Sequence, residues 1–168
     1  MKSPNAFLAP TDLFTGSWTA VQVDTEPLFG VHSQREANFD GTGRPQIMIG
    51  ESNFGGWDFG PNLDPEIFIY RLIGSPASAT GWERTPIDVI GTHEAAVADF
   101  DGDGKPDIAG HQENTNNMTP PEYGPVHWWK NATAFPPPAA LRFVRRFVDS
   151  EGGGQATTGS ALGDFDQD

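Results

Sequence analysis

An all-β fold, built from repeated four-stranded antiparallel units, is predicted by three observations. The chain is rich in residues that interrupt regular structure, with 20 Gly and 15 Pro in 168 residues, and only 36% of it is hydrophobic. That balance favours short strands between many turns over long helices. The apolar set is weighted toward large rings, 12 Phe and 5 Trp, so a packed core is expected rather than disorder. Finally, the chain repeats itself at a period near sixty residues.

The repeat is visible in two registers. Ala37-Asn38-Phe39-Asp40-Gly41-Thr42-Gly43-Arg44-Pro45-Gln46-Ile47 matches Ala98-Asp99-Phe100-Asp101-Gly102-Asp103-Gly104-Lys105-Pro106-Asp107-Ile108, at an offset of 61. Gly163-Asp164-Phe165-Asp166-Gln167-Asp168 begins a third copy, 65 residues after the second. Independently, Trp18-Thr19-Ala20-Val21-Gln22-Val23-Asp24 aligns with Trp82-Glu83-Arg84-Thr85-Pro86-Ile87-Asp88 and with Phe143-Val144-Arg145-Arg146-Phe147-Val148-Asp149, at offsets of 64 and 61. The first and last of these alternate apolar and polar residues, the period of a half-buried strand.

Taken in order, the strands are expected at 18–24, then 32–38, 46–50, 66–72 and 82–88, then 93–98, 107–110, 126–130 and 142–148. Four short antiparallel strands per unit, repeated at this spacing, is the pattern of a β-propeller blade. Residues 1–29 are read as the end of a preceding blade, contributing its outer strand. Residues 30–90 and 91–150 are read as two full blades, and 151–168 as the truncated start of another. Adjacent blades should bury Ile67, Phe68, Ile69, Tyr70, Trp128 and Trp129 between their sheets. Propellers close with about four to eight blades, so further blades of a longer chain, or other copies of this one, are expected to complete the fold. Residues 135–138, Phe-Pro-Pro-Pro, link strands, and Glu151-Gly152-Gly153-Gly154 leads into the next unit.

Composition excludes several classes of function. The formal net charge of −13 offers no basic footprint for nucleic acid. There are no cysteines, so disulfides, thiolate metal sites and cysteine nucleophiles are absent together. No apolar run approaches the roughly 20 residues of a spanning helix, and no signal peptide follows Met1-Lys2-Ser3-Pro4. No phosphate-cradling loop or nucleophile elbow is visible.

The acidic residues cluster where the repeat is strongest. Asp99, Asp101, Asp103, the Lys105 carbonyl and Asp107 offer oxygens at positions 1, 3, 5, 7 and 9 of one loop. Gly102 and Gly104 permit the tight turn that brings them around one centre. Carboxylates this close repel one another unless a cation intervenes. Calcium, which takes about six to eight oxygens in flexible geometry, suits the set better than magnesium. An EF-hand or dockerin loop would need Glu at position 12 and a helix after it; Gly110 and β-type sequence stand there instead.

The segment from Asp99 to Ile108 resembles the FG-GAP/VCBS repeat, the calcium-loop repeat of integrin alpha propellers and many secreted microbial proteins. The resemblance covers most of the chain. It implies bound Ca2+ in a structural role, joining the first and second strands of a blade, and a secreted or cell-surface location. The copy at Asn38 and Asp40 is expected to bind weakly or not at all, because Thr42 and Gln46 replace two carboxylates. The copy at Asp164, Asp166 and Asp168 lacks its remaining ligands.

On the side opposite the calcium loops, the strand pattern gathers His32, His93, Glu94, His111, Glu113 and Glu51. His32 and His93 align at an offset of 61, and Thr158 stands in the third copy. Long insertions at 51–65 and 111–125 emerge there, with Trp57 and Tyr123 among their residues. Long loops on a rigid scaffold commonly carry binding residues. Three readings follow: a glycan- or protein-binding surface, an enzyme of lyase or dehydratase type using the histidines and carboxylates, or a purely structural assembly module. Asn117 and Asn131 each open a glycosylation acceptor triplet.

Overall fold

A computed structural model describes residues 5–10, 14–52, 65–77, 79–111, 126–135 and 140–149. Among them the fold is all-β, with ten antiparallel strands in three sheets and one 3-10 turn at Ala79–Gly81. A short hairpin pairs β1 (Asn5–Leu8) with β2 (Thr19–Gln22). The first four-stranded sheet runs in sequence order through β3 (Val31–Ala37), β4 (Gln46–Glu51), β5 (Ile67–Leu72) and β6 (Trp82–Asp88). The second does the same with β7 (Glu94–Ala98), β8 (Asp107–His111), β9 (Val126–Asn131) and β10 (Phe143–Asp149). The described residues form two stacked meanders and no closed ring.

Strand pairing makes the repeat exact in three dimensions. Ile47 lies opposite Tyr70 in the first sheet, as Ile108 lies opposite Trp129 in the second. Met48 faces Ile69 as Ala109 faces Trp128. Because side chains alternate between faces, Met48, Ile67 and Ile69 leave one face of the first sheet and meet Ala95, Ile108 and Trp129 on the second. Phe39 closes this core, its ring edge-on to Phe143 at 5.9 Å. The other face of the first sheet presents Ile49, Phe68 and Tyr70, and Val23 with Leu28 and Ala6 pack there. Ile67, Phe68, Ile69, Tyr70 and Trp129 are buried as expected; Trp128 is only partly so.

A polar latch recurs between consecutive units. Asp88, at the end of β6, accepts a hydrogen bond from the Trp129 indole at 2.8 Å and pairs with Arg145 at 3.1 Å. One repeat earlier, Asp24 accepts from the Tyr70 hydroxyl at 2.6 Å and lies 3.6 Å from Arg84. Tyr70 and Trp129 are equivalent, as are Arg84 and Arg145. The segment at 19–24 therefore sits on the first sheet as the last strand of the first sheet sits on the second. Burial raises and the Tyr70 hydroxyl lowers the Asp24 pKa, and with the Glu26 amide and Arg84 the balance falls below the ordinary 3.8. The phenol is correspondingly pushed well above its usual range, by burial first and by Asp24 second.

Thr92 wedges the inner strands together. Its hydroxyl donates to the Glu94 carbonyl at 2.6 Å and lies 3.1 Å from the His111 carbonyl. A Cβ at Gly110 would come within 2.3 Å of that hydroxyl, and one at Gly50 within 2.5 Å of the Thr92 methyl. Both glycines are required by close approach.

Candidate metal centre

The turn between β7 and β8 brings three carboxylates together. Asp99, Asp101 and Asp107 each offer an oxygen, and these lie within 4.8 Å of one another, so the triad could hold a metal ion. Gly102 and Gly104 adopt φ of 73° and 82°, which lets the backbone curl around the group. The Asp99 carboxylate accepts from the Asp103 amide at 3.0 Å and the Gly104 amide at 2.8 Å. Asp107, fully buried, accepts from the Asn131 amide at 2.7 Å and the Phe100 amide at 3.2 Å. Three of these four bonds are intrinsic to the loop; the fourth ties it to the third strand of the sheet.

Asp103, also expected as a ligand, is drawn elsewhere. Its side chain receives the Lys130 ammonium at 2.9 Å and the Lys105 amide at 3.1 Å. Lys130 also contacts the Asp101 carboxylate. Sequence reasoning missed Lys130 because it stands on β9, well outside the motif.

The equivalent turn in the first sheet has the same backbone and different chemistry. Gly41 and Gly43 take φ of 75° and 80°, and Asn38 accepts from the Gly43 amide at 3.0 Å, as Asp99 does from Gly104. Here the Gln46 amide nitrogen donates to Asp40 at 2.9 Å and to the Arg44 carbonyl at 2.6 Å. Those are the oxygens of positions 3 and 7. Thr42 adds its hydroxyl to Asp40 at 2.7 Å, and Arg71 supplies a positive charge 3.7 Å away. Internal donors thus serve one oxygen of the fully buried Asp40, while its other oxygen receives no hydrogen bond among the described residues and faces the Arg71 charge.

Asn131 joins the two turns. Its amide nitrogen donates to the Phe39 carbonyl at 2.9 Å and the Pro106 carbonyl at 3.1 Å, and its oxygen accepts from the Thr133 amide at 3.0 Å. Buried and committed at both ends, Asn131 is a structural bracket, which makes it inaccessible as a glycan acceptor.

At the opposite end of the sheets stand the described members of the expected rim, with His93 itself buried. The His32 and His93 rings lie 4.1 Å apart, and His93 and His111 lie 6.3 Å apart. Glu94 pairs in register with His111 and sits 3.9 Å from Arg35. Glu51 has a different role: it is buried and accepts the Phe29 and Glu66 amides at 2.8 and 3.2 Å, clamping the chain on either side of its strand. Trp57, Glu113, Tyr123, Asp164, Asp166 and Asp168 lie outside the described residues. No helix among the described residues is long and apolar enough to cross a membrane. Comparison with known proteins adds nothing to this geometry: no family model matches the chain, nor does any curated protein or solved structure.

Proposed function

We propose that the chain is a calcium-stabilised repeat module of β-propeller type, secreted or displayed outside the cell. Its histidine-bearing rim, on this reading, serves to bind a glycan or protein. One observation carries the proposal. Two turns share one backbone; in the first, the Gln46 amide and the Thr42 hydroxyl donate to the single central carboxylate of Asp40, while in the second three carboxylates converge with no side-chain amide among them and with the Lys130 ammonium at their edge. An all-oxygen donor set of carboxylates suits a hard cation, and calcium, which accepts about six to eight oxygens in flexible geometry, suits it better than magnesium with its strict octahedron. Asp99, Asp101 and Asp107 would hold the ion, which would supply the positive charge that lets the turn close.

Propeller architecture is supported by the recurring latch and by unequal exposure of equivalent residues. Phe39 is fully buried under the second sheet, whereas its counterpart Phe100 is 40% exposed on the face where a following unit would stack. Heterologous stacking of this kind leaves one such face at each end of a short array.

Calorimetric titration of the full chain with calcium and with magnesium tests the metal reading. Calcium should bind with at least tenfold preference, and Asp99→Ala should abolish the signal. Absence of calcium binding to folded protein would refute it. For the rim, glycan-array binding that disappears in Trp57→Ala or His93→Ala would support a recognition surface, and full binding in both variants would contradict it.

A further inference from the structure

The positive charge on the third strand is the feature the loop motif does not explain. Lys130 reaches from β9 to two of the loop's carboxylates, Asp101 and Asp103, and Asp103 is the one expected carboxylate ligand outside the converging triad. The same arrangement recurs one repeat earlier. Arg71 occupies the equivalent position on β5 and lies against Asp40, the equivalent of Asp101. Arg71 makes a second ion pair, two of its guanidinium nitrogens donating to one carboxylate oxygen of Glu83, which fixes its guanidinium in place. Among the described residues Lys130 forms ion pairs with the loop carboxylates, and its ammonium sits on a flexible stem.

We propose that Lys130 is a tethered counter-ion that competes with the divalent cation for the loop, setting its affinity and holding Asp103 in reserve. This rests on the calcium reading of the same loop. Two positive charges at one carboxylate group repel each other, so occupation of the loop by a divalent ion requires the Lys130 ammonium to leave Asp101. Its departure leaves Asp103 with the Lys105 amide at 3.1 Å and the Lys105 ammonium at 3.6 Å, contacts within the loop from which the carboxylate can turn to join the donor set. The first loop takes this arrangement further: there the Gln46 amide donates to one oxygen of the acid, the Arg71 charge lies 3.7 Å from the other, and the side chains at positions 5 and 9 are no longer carboxylates. The second loop keeps the carboxylates and a weaker, displaceable cation.

Two measurements test the inference. In calorimetric titration with calcium chloride, Lys130→Gln and Lys130→Met should bind about tenfold more tightly than the wild type, because a full charge a few ångströms from the ion is removed. Lys130→Arg should stay close to the wild type, and Arg71→Gln should leave the affinity of the second loop unchanged. In the wild type, mass-spectrometric labelling of lysine amines should show Lys130 becoming more reactive as calcium is added, with Lys2 as the internal reference. Equal or weaker binding by the neutral variants, or Lys130 labelling indifferent to calcium, would overturn the inference while leaving the calcium site standing. If neither the wild type nor the neutral variants bind calcium, the calcium reading itself fails and takes the inference with it.

Discussion

Asp107 carries more of the second turn than any other residue, and its replacement by alanine is the sharpest perturbation available. The side chain is completely buried, and two backbone amides, from Asn131 and Phe100, donate to it at 2.7 and 3.2 Å. Asp107→Ala leaves both donors without that acceptor, the Asn131 amide in a fully buried position and the Phe100 amide in a partly buried one. An orphaned buried donor costs about 1–3 kcal/mol, so the pair should cost about 2–6 kcal/mol, a large part of a stability that for a domain is about 5–15 kcal/mol. That loss belongs to the protein itself and should appear in urea unfolding with chelator present. Calcium adds a second, separable difference. For the wild type, a hundredfold excess over Kd should add about 2.7 kcal/mol, and the variant, lacking a ligand, should gain nothing. Matching unfolding midpoints for the two proteins in chelator would refute the buried-acceptor argument. An equal calcium increment in both would refute the placement of the ion.

Other expectations follow from the same contacts. Tyr70→Phe removes the hydroxyl from the first latch and should cost about 1 kcal/mol at neutral pH in denaturant unfolding. Asp24 is held below its ordinary 3.8, so it contributes stability above that value and loses it as pH falls through the lower folded value. Tyr70→Phe should therefore flatten the acid limb of the stability profile below pH 3.8, and an unchanged limb would contradict the latch. Gln46→Asp exchanges the amide that donates to Asp40 for a second carboxylate; it should destabilise by about 1–3 kcal/mol in chelator, with part of the loss recovered in calcium. Gly110→Ala places a methyl group against the Thr92 hydroxyl and the Glu94 carbonyl, and should lower stability by about 1–3 kcal/mol, visible as a drop in Tm.

Strand positions were legible because the repeat could be laid on itself. The expected strand at 82–88 is β6 as found, and 107–110 and 126–130 each fall one residue short of β8 and β9. A period of sixty residues tells which residues are equivalent, and the alternation within a strand tells which share a face. The loop's carboxylates were legible for the same reason, since they are close in sequence. What escaped is what the sheet brings in from its third strand. Lys130 and Arg71 lie 27 to 31 residues from the loop residues they contact, and Asn131 lies 24 from Asp107 and 92 from Phe39; the pairing of β8 with β9 and of β4 with β5 carries each to the loop of its own sheet. The substitution of Gln46 for a carboxylate reads in sequence as a ligand lost. In the folded chain it is also a donor gained, because the amide points at the very oxygens left behind. Glu51 was grouped with the rim from strand direction alone, whereas the backbone amides of Phe29 and Glu66 claim both its oxygens.

Anomalous diffraction from a calcium-soaked crystal is the most direct measurement. The account predicts a single strong calcium peak bounded by Asp99, Asp101 and Asp107, with Lys130 turned away from Asp101 and no peak in the turn at Asn38 and Asp40. A well-ordered loop at Asp99 with no peak among its carboxylates would contradict it.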